Sequence, residues 1–178
     1  MLKNLEEIIQ GCIENHRPSQ EALYREYYGY AMTVCLPYSN TDFEAEEIAN
    51  DGFIKIFNKI ADYNPQYPFT AWLRRILINT AIDHFRSQKK HYYGLEIDQA
   101  VTVQDDEVTA LDKLSADELM GMVRELPQAY RTSFLLYAIE GYKHHEIAKE
   151  LGITEGTSKS NLAKAKKKLQ QAVNAQRT

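Results

Sequence analysis

The sequence predicts an all-α chain: two small helical domains joined by an acidic linker, the second a helix-turn-helix. Three observations carry this. Apolar residues recur at three- and four-residue spacing through most of the 178 residues, and the alternation of a half-buried strand is absent. Charge is distributed in blocks. Residues 61–90 hold five basic and two acidic side chains and residues 142–178 eight and three, whereas residues 91–118 hold eight acidic and one basic. The third is the stretch Tyr142–Leu169, which reads as two helices about a glycine turn.

From the N-terminus, Leu2, Leu5, Ile8, Ile9, Cys12 and Ile13 give residues 2–15 one apolar face. Pro18 interrupts, and Ser19 is expected to cap a second helix that reaches about Leu36 before Pro37. Thr41 and Glu44 are spaced as a capping box. The helix they open carries Ala45, Ile48, Ala49, Phe53, Ile56, Phe57 and Ile60 inward and leaves Glu46, Glu47, Asn50, Asp51 and Lys55 outside. The loop 62–68 is punctuated by two prolines and holds Tyr63 and Tyr67. Thr70 is expected to cap a helix from Ala71 to Lys89, apolar on more than one side. Arg75, Asn79, Asp83 and Arg86 make one polar stripe along it.

Residues 91–116 lose the periodicity and read as a linker. A helix resumes near Asp117 with Leu119, Met122, Val123 and Leu126. Pro127 stops it and suits the first turn of the next, packed by Tyr130, Phe134, Leu135 and Tyr137 and ended by Gly141. In the pair that follows, Ile147, Ala148 and Leu151 face the core and Gly152 takes the left-handed turn. Thr154 caps the last helix. Its inner face is Ser158, Leu162, Ala165 and Leu169, and Lys159, Ser160, Lys164, Lys167 and Lys168 are left to solvent or phosphate. The expected domains are 1–90 and 117–178, with 91–116 between.

Chemistry narrows the function. Cys12 and Cys35 are far apart and lack a metal-ligand or redox spacing; they read as core thiols of a reducing compartment. No metal cluster, catalytic nucleophile–base pair or phosphate-cradling glycine loop is recognisable, and no cofactor is expected. No signal peptide or bilayer-spanning run is present, so a cytoplasmic protein without membrane insertion is expected. A basic second helix after a glycine turn suits a DNA major groove, although a plain helical hairpin with a lysine-rich tail has the same pattern. Aromatics beside the cationic stripe suit unpaired DNA, where bases stack and phosphates meet cations. The acidic edge Glu46–Asp51 would repel DNA and suits a basic protein surface.

Together these parts resemble the extracytoplasmic-function (ECF) sigma factors of bacterial RNA polymerase. FEAEEIANDGFIKIF (43–57) is similar to that family's polymerase-binding helix. FTAWLRRILINTAIDHFRSQKK (69–90) is similar to its minus-ten helix, and LPQAYRTSFLLY (126–137) with the 142–169 segment to its minus-thirty-five domain. The resemblance implies that Glu46, Glu47, Asn50 and Asp51 contact core polymerase. It implies that Tyr63, Tyr67 and Phe69, with Asn79, hold a base flipped from the non-template strand while Arg74, Arg75, Arg86, Lys89 and Lys90 hold phosphates. It places Glu155, Thr157, Lys159, Ser160, Asn161 and Lys164 at the major groove. Promoter DNA, core RNA polymerase and an anti-sigma factor are the implied partners, and the protein is not expected to be an enzyme. Asn50, Gly52, Ser158, Asn161 and Lys164 depart from residues common in the family. A sigma-like decoy that binds an anti-sigma factor, and a stand-alone helix-turn-helix regulator, are the alternatives.

Overall fold

The computed structural model describes residues 4–92 and 116–176, with the side chains of 89–92, 116, 117 and 176 outside the description. The described residues form eight α-helices and no strand. They are α1 (Leu5–Ile13), α2 (Arg17–Cys35), α3 (Asp42–Lys59), α4 (Phe69–Tyr92), α5 (Ala116–Arg124), α6 (Gln128–Ala138), α7 (His144–Leu151) and α8 (Glu155–Gln176). Residues 93–115, most of the expected linker, lie outside the described residues. The chain divides into two compact units, Met1–His84 and Phe85–Thr178, a division that falls within α4.

In the first unit, α1 packs on α2 and α2 on α3. The core is Cys12, Leu23, Ala31, Val34, Ile48, Phe53, Ile56, Leu73 and Leu77, each almost fully buried. The start of α2 differs from expectation. Pro18 lies in the first turn, where its missing N–H costs no helical bond, and the helix begins at Arg17. Ser19 is therefore inside the helix, buried, with its hydroxyl 2.9 Å from His16 Nδ1. Half of the expected capping box forms: the Thr41 hydroxyl accepts from the Glu44 N–H at 3.1 Å, but the Glu44 carboxylate accepts from the Asn40 N–H, one residue before the cap. Helix α4 starts at Phe69, so Thr70 is in its first turn and not before it.

In the second unit, α8 packs along α6, with α7 and α5 against it. Arg131 ties α6 to the end of α5 by donating from Nη1 to the Arg124 carbonyl at 2.6 Å. Helix α6 ends at Ala138, earlier than expected, and Gly141 (φ 74°) turns the chain before α7. Gly152 (φ 62°) closes α7 in the left-handed conformation, and Thr154 accepts from the Thr157 N–H at 3.0 Å to open α8. Ser158, Leu162, Ala165, Leu169 and Val173 form the buried spine of α8.

Candidate polymerase and nucleic-acid interfaces

The outer face of α3 exists because its inner face is so apolar. Ala45, Ile48, Ala49, Phe53 and Ile56 are buried, and Gly52 lets the helix lie against Leu77 of α4. A Cβ built at Gly52 would meet Leu77 Cδ2 at 2.6 Å, which accounts for the absence of a larger residue there. Glu46, Glu47, Asn50 and Asp51 are all exposed on the opposite side. Asn50 is held from α2: the Tyr24 hydroxyl donates to its Oδ1 at 2.9 Å. Tyr24 in turn packs on Phe53 (4.7 Å between ring centres) and Tyr28 (5.2 Å). The Tyr28 hydroxyl has a raised pKa, first from burial and then from the negative charge of Glu46.

Sequence reasoning missed two residues of this face. Phe43 and Ile54 are 69% and 60% exposed and fall with Glu47 and Asn50 at i, i+4, i+7 and i+11. The available signal was that both lie off the inner apolar positions of the helix.

On α4, Arg75, Asn79, Asp83 and Arg86 are exposed as one stripe. Asp83 is not paired along its own helix; Lys55 Nζ of α3 reaches its Oδ2 at 2.9 Å. Arg74 is half-buried and engaged. Lys89 and Lys90 lie near the end of α4, and their side chains fall outside the described residues.

The preceding aromatics divide into scaffold and surface. Phe69 was expected at the DNA, but it is buried, with the rings of Tyr27 and Tyr63 each 5.1 Å away and Trp72 at 5.6 Å. Its edge-on contacts are those of a core ring. Tyr63 is half-buried, and its hydroxyl donates to the Tyr67 carbonyl at 2.6 Å. Tyr67, 65% exposed, offers the open ring.

In α8 the sequence expectation needs correcting at two positions. Ser160 and Asn161, expected at the groove, are only 6% and 7% exposed. Asn161 turns toward α6 and donates from Nδ2 to Ser133 Oγ at 3.3 Å. Both flank the buried spine, and an apolar pattern cannot reveal that Asn161 finds a polar partner inside. Lys164 Nζ lies over the Tyr130 ring at 5.5 Å. Thr157 is half-buried beside Thr154, their hydroxyls 2.9 Å apart. Glu155 and Lys159 are exposed, followed along the helix by half-buried Ala163 and exposed Lys167.

Helices α7 and α8 thus form a helix-turn-helix with a cationic outer stripe. Helix α3 of the first unit is acidic and apolar-studded on its outer face, and α4 carries a second cationic stripe. Cationic helical surfaces beside a helix-turn-helix are the features of a DNA-binding protein. Sequence comparison agrees: Sigma-70 region 2 matches residues 23–91 and Sigma-70 region 4 matches residues 116–169. The ECF RNA polymerase sigma factor SigW of Bacillus subtilis is 31% identical over 138 residues, 71% of this chain and 73% of that protein. SigE of Mycolicibacterium smegmatis, also an ECF RNA polymerase sigma factor, is 28% identical over 162 residues. That match covers 85% of this chain and 60% of the SigE protein, so the chain spans well under the whole of that relative. The RNA polymerase sigma-H factor of Pseudomonas aeruginosa is 22% identical, covering 94% of this chain and 93% of its own. A solved structure of the sigma factor RpoE in complex with the anti-sigma factor NepR from Bartonella quintana aligns at 18% identity. It covers 86% of this chain and 96% of that one, with a TM-score of 0.49. The chain belongs to the ECF RNA polymerase sigma factor family.

Proposed function

We propose that this chain is a promoter-specificity subunit that joins bacterial core RNA polymerase and directs initiation. The single observation that carries this is the presence of both sigma-70 regions, in order, on one chain. The α3 face of Glu46, Glu47, Asn50 and Asp51 engages core polymerase, with Phe43 and Ile54 as apolar anchors. Buried aromatic and aliphatic anchors inside a polar rim are what concentrate binding energy at protein interfaces.

The α4 stripe and Tyr67 take unpaired minus-ten DNA. Tyr67 stacks, Asn79 offers a donor and an acceptor to a base edge, and Arg74, Arg75, Arg86, Lys89 and Lys90 hold phosphates. Tyr63 and Phe69 support that loop from beneath. Helix α8 enters the duplex major groove with Glu155, Thr157 and Lys159 leading and Lys164 following; Asn161 holds the helix from behind through Ser133. The chain is a binding subunit and not an enzyme, and it works in the cytoplasm. Among the described residues no helix is long and apolar enough to cross a membrane. Family membership supports an anti-sigma factor as its regulator.

Run-off transcription with purified core polymerase tests the proposal. Discrete starts that depend on this protein are expected. Core binding without initiation would point instead to a decoy, and DNA binding without affinity for core to a stand-alone regulator. Asn79→Ala should lower promoter opening more than duplex binding; equal losses would reject the base-capture role.

A further inference from the structure

Ser158 is fully buried in the spine of α8, so its hydroxyl needs a partner inside the protein. The partner is His144, the first residue of α7, whose Nδ1 lies 3.0 Å from Ser158 Oγ. The same imidazole stacks on Tyr137 in the last turn of α6, with ring centres 4.8 Å apart and planes 19° from parallel. One side chain on α7 therefore links α6 to α8. Hydrophobic spine contacts are non-directional and tolerate small rotations of α8 about its axis. A hydrogen bond and a flat stack do not, because both lose strength when direction changes. Lys159, an exposed cation of α8, is one residue from Ser158, so a rotation at Ser158 re-aims it directly.

We propose that His144 is a positioning residue for promoter recognition. By joining Tyr137 to Ser158 it fixes the rotation of α8, and so the aim of Glu155 and Lys159 at base edges. This rests on the reading that α8 enters the major groove. The imidazole itself touches no DNA. Its loss therefore lowers discrimination between sequences and leaves the sequence-independent attraction to phosphates as it was.

The test uses the full chain bound to core polymerase and a duplex enriched from a random pool by the wild-type complex. Affinity for that duplex is compared with affinity for an unrelated duplex, over a salt series and well below the melting temperature. His144→Ala should reduce the ratio of the two affinities about tenfold, the size of one mismatched base pair. The non-specific affinity and its salt slope should not change, since the phosphate contacts remain. His144→Asn puts an amide atom near the place of Nδ1 and should recover most of the ratio. Ser158→Ala should match the loss, and combining it with His144→Ala should add little, as for two ends of one interaction.

An unchanged ratio in His144→Ala would overturn the proposal. So would parallel loss of specific and non-specific binding with a lowered melting temperature and no recovery by Asn, since that marks a structural role alone. If the wild-type complex enriches no sequence at all, the groove reading itself fails, and the proposal with it.

Discussion

The Tyr24 hydroxyl donates to Asn50 Oδ1 across 2.9 Å, fixing an exposed amide of α3 from the neighbouring helix α2. With Oδ1 occupied, the amide presents its N–H groups outward. Tyr24→Phe removes the tether and keeps the ring packing on Phe53. A solvent-exposed hydrogen bond contributes about 1 kcal/mol or less, so stability should barely change. Affinity for core polymerase should fall severalfold as Asn50 loses its preset orientation. Calorimetry and a core-binding titration check the two halves; unaltered affinity would show that the tether has no part in docking.

Phe43 and Ile54 separate docking from folding. Each is largely outside the core, so alanine at either position should shift stability by no more than ~0.5 kcal/mol. If both anchor the polymerase interface, each should weaken core binding by more than about tenfold, the scale of an interface hot spot. Urea melts beside a core-binding titration give both numbers. A double alanine variant that binds core like wild type would confine the interface to the acidic residues.

Gly52→Ala should destabilise the first unit in spite of alanine's better helix propensity. The propensity gain is ~1 kcal/mol, whereas overpacking costs about 1–3 kcal/mol. The clash is with Leu77 Cδ2, the tip of a fully buried side chain that must shift to relieve it. The net loss should be at most ~2 kcal/mol, and adding Leu77→Val should restore part of it. Chemical denaturation of the single and double variants decides the sign.

Asn161 and Lys159 should behave oppositely, though they lie two residues apart. Asn161→Ala strands Ser133 in the core and should cost about 1–3 kcal/mol of stability. Lys159→Ala should leave stability alone, weaken duplex binding and reduce the salt slope by about one. Thermal melts and duplex titrations at several salt concentrations distinguish the two. A normal melting temperature for Asn161→Ala, with lost base discrimination, would return that residue to the groove.

The two thiols should make the fold sensitive to alkali. Burial pushes Cys12 up to about 11 and Cys35 up to about 12. Unfolded thiols ionise near ~8.5, so the folded state holds these protons longer. Their contribution is complete below that value and is lost as pH rises through 9 toward 11 and 12. Melting temperature should fall over that range, less so in Cys35→Ala. At pH 8 alkylation should be slow until the protein is denatured, because the thiolate is the reactive form. Native labelling as fast as that of the unfolded chain would contradict this.

Local signals were read correctly because their physics is local. The capping pair Thr41 and Glu44, the left-handed Gly152 and the Thr154 cap involve residues within four of each other. The start of α2 departs from the sequence expectation because Pro18 serves as well in a first turn as before one. The acidic face of α3 and the stripe on α4 were legible, since helical period alone separates inner from outer positions. Ser158 was read as inward, but its partner was not foreseeable: His144 lies fourteen residues away in the chain.

The sequence by itself determined the helical class, the separation of acidic from cationic helices and the order of the two sigma-like segments. Those depend on period, charge and chain order. Only the tertiary structure decided which polar groups lie at the surface. It buried Phe69, Ser160 and Asn161 and left Phe43, Ile54 and Tyr67 open. Hydrophobicity alone could not sort them: a polar group enters a core when a partner is waiting there, and an apolar one stays outside when no neighbour reaches it.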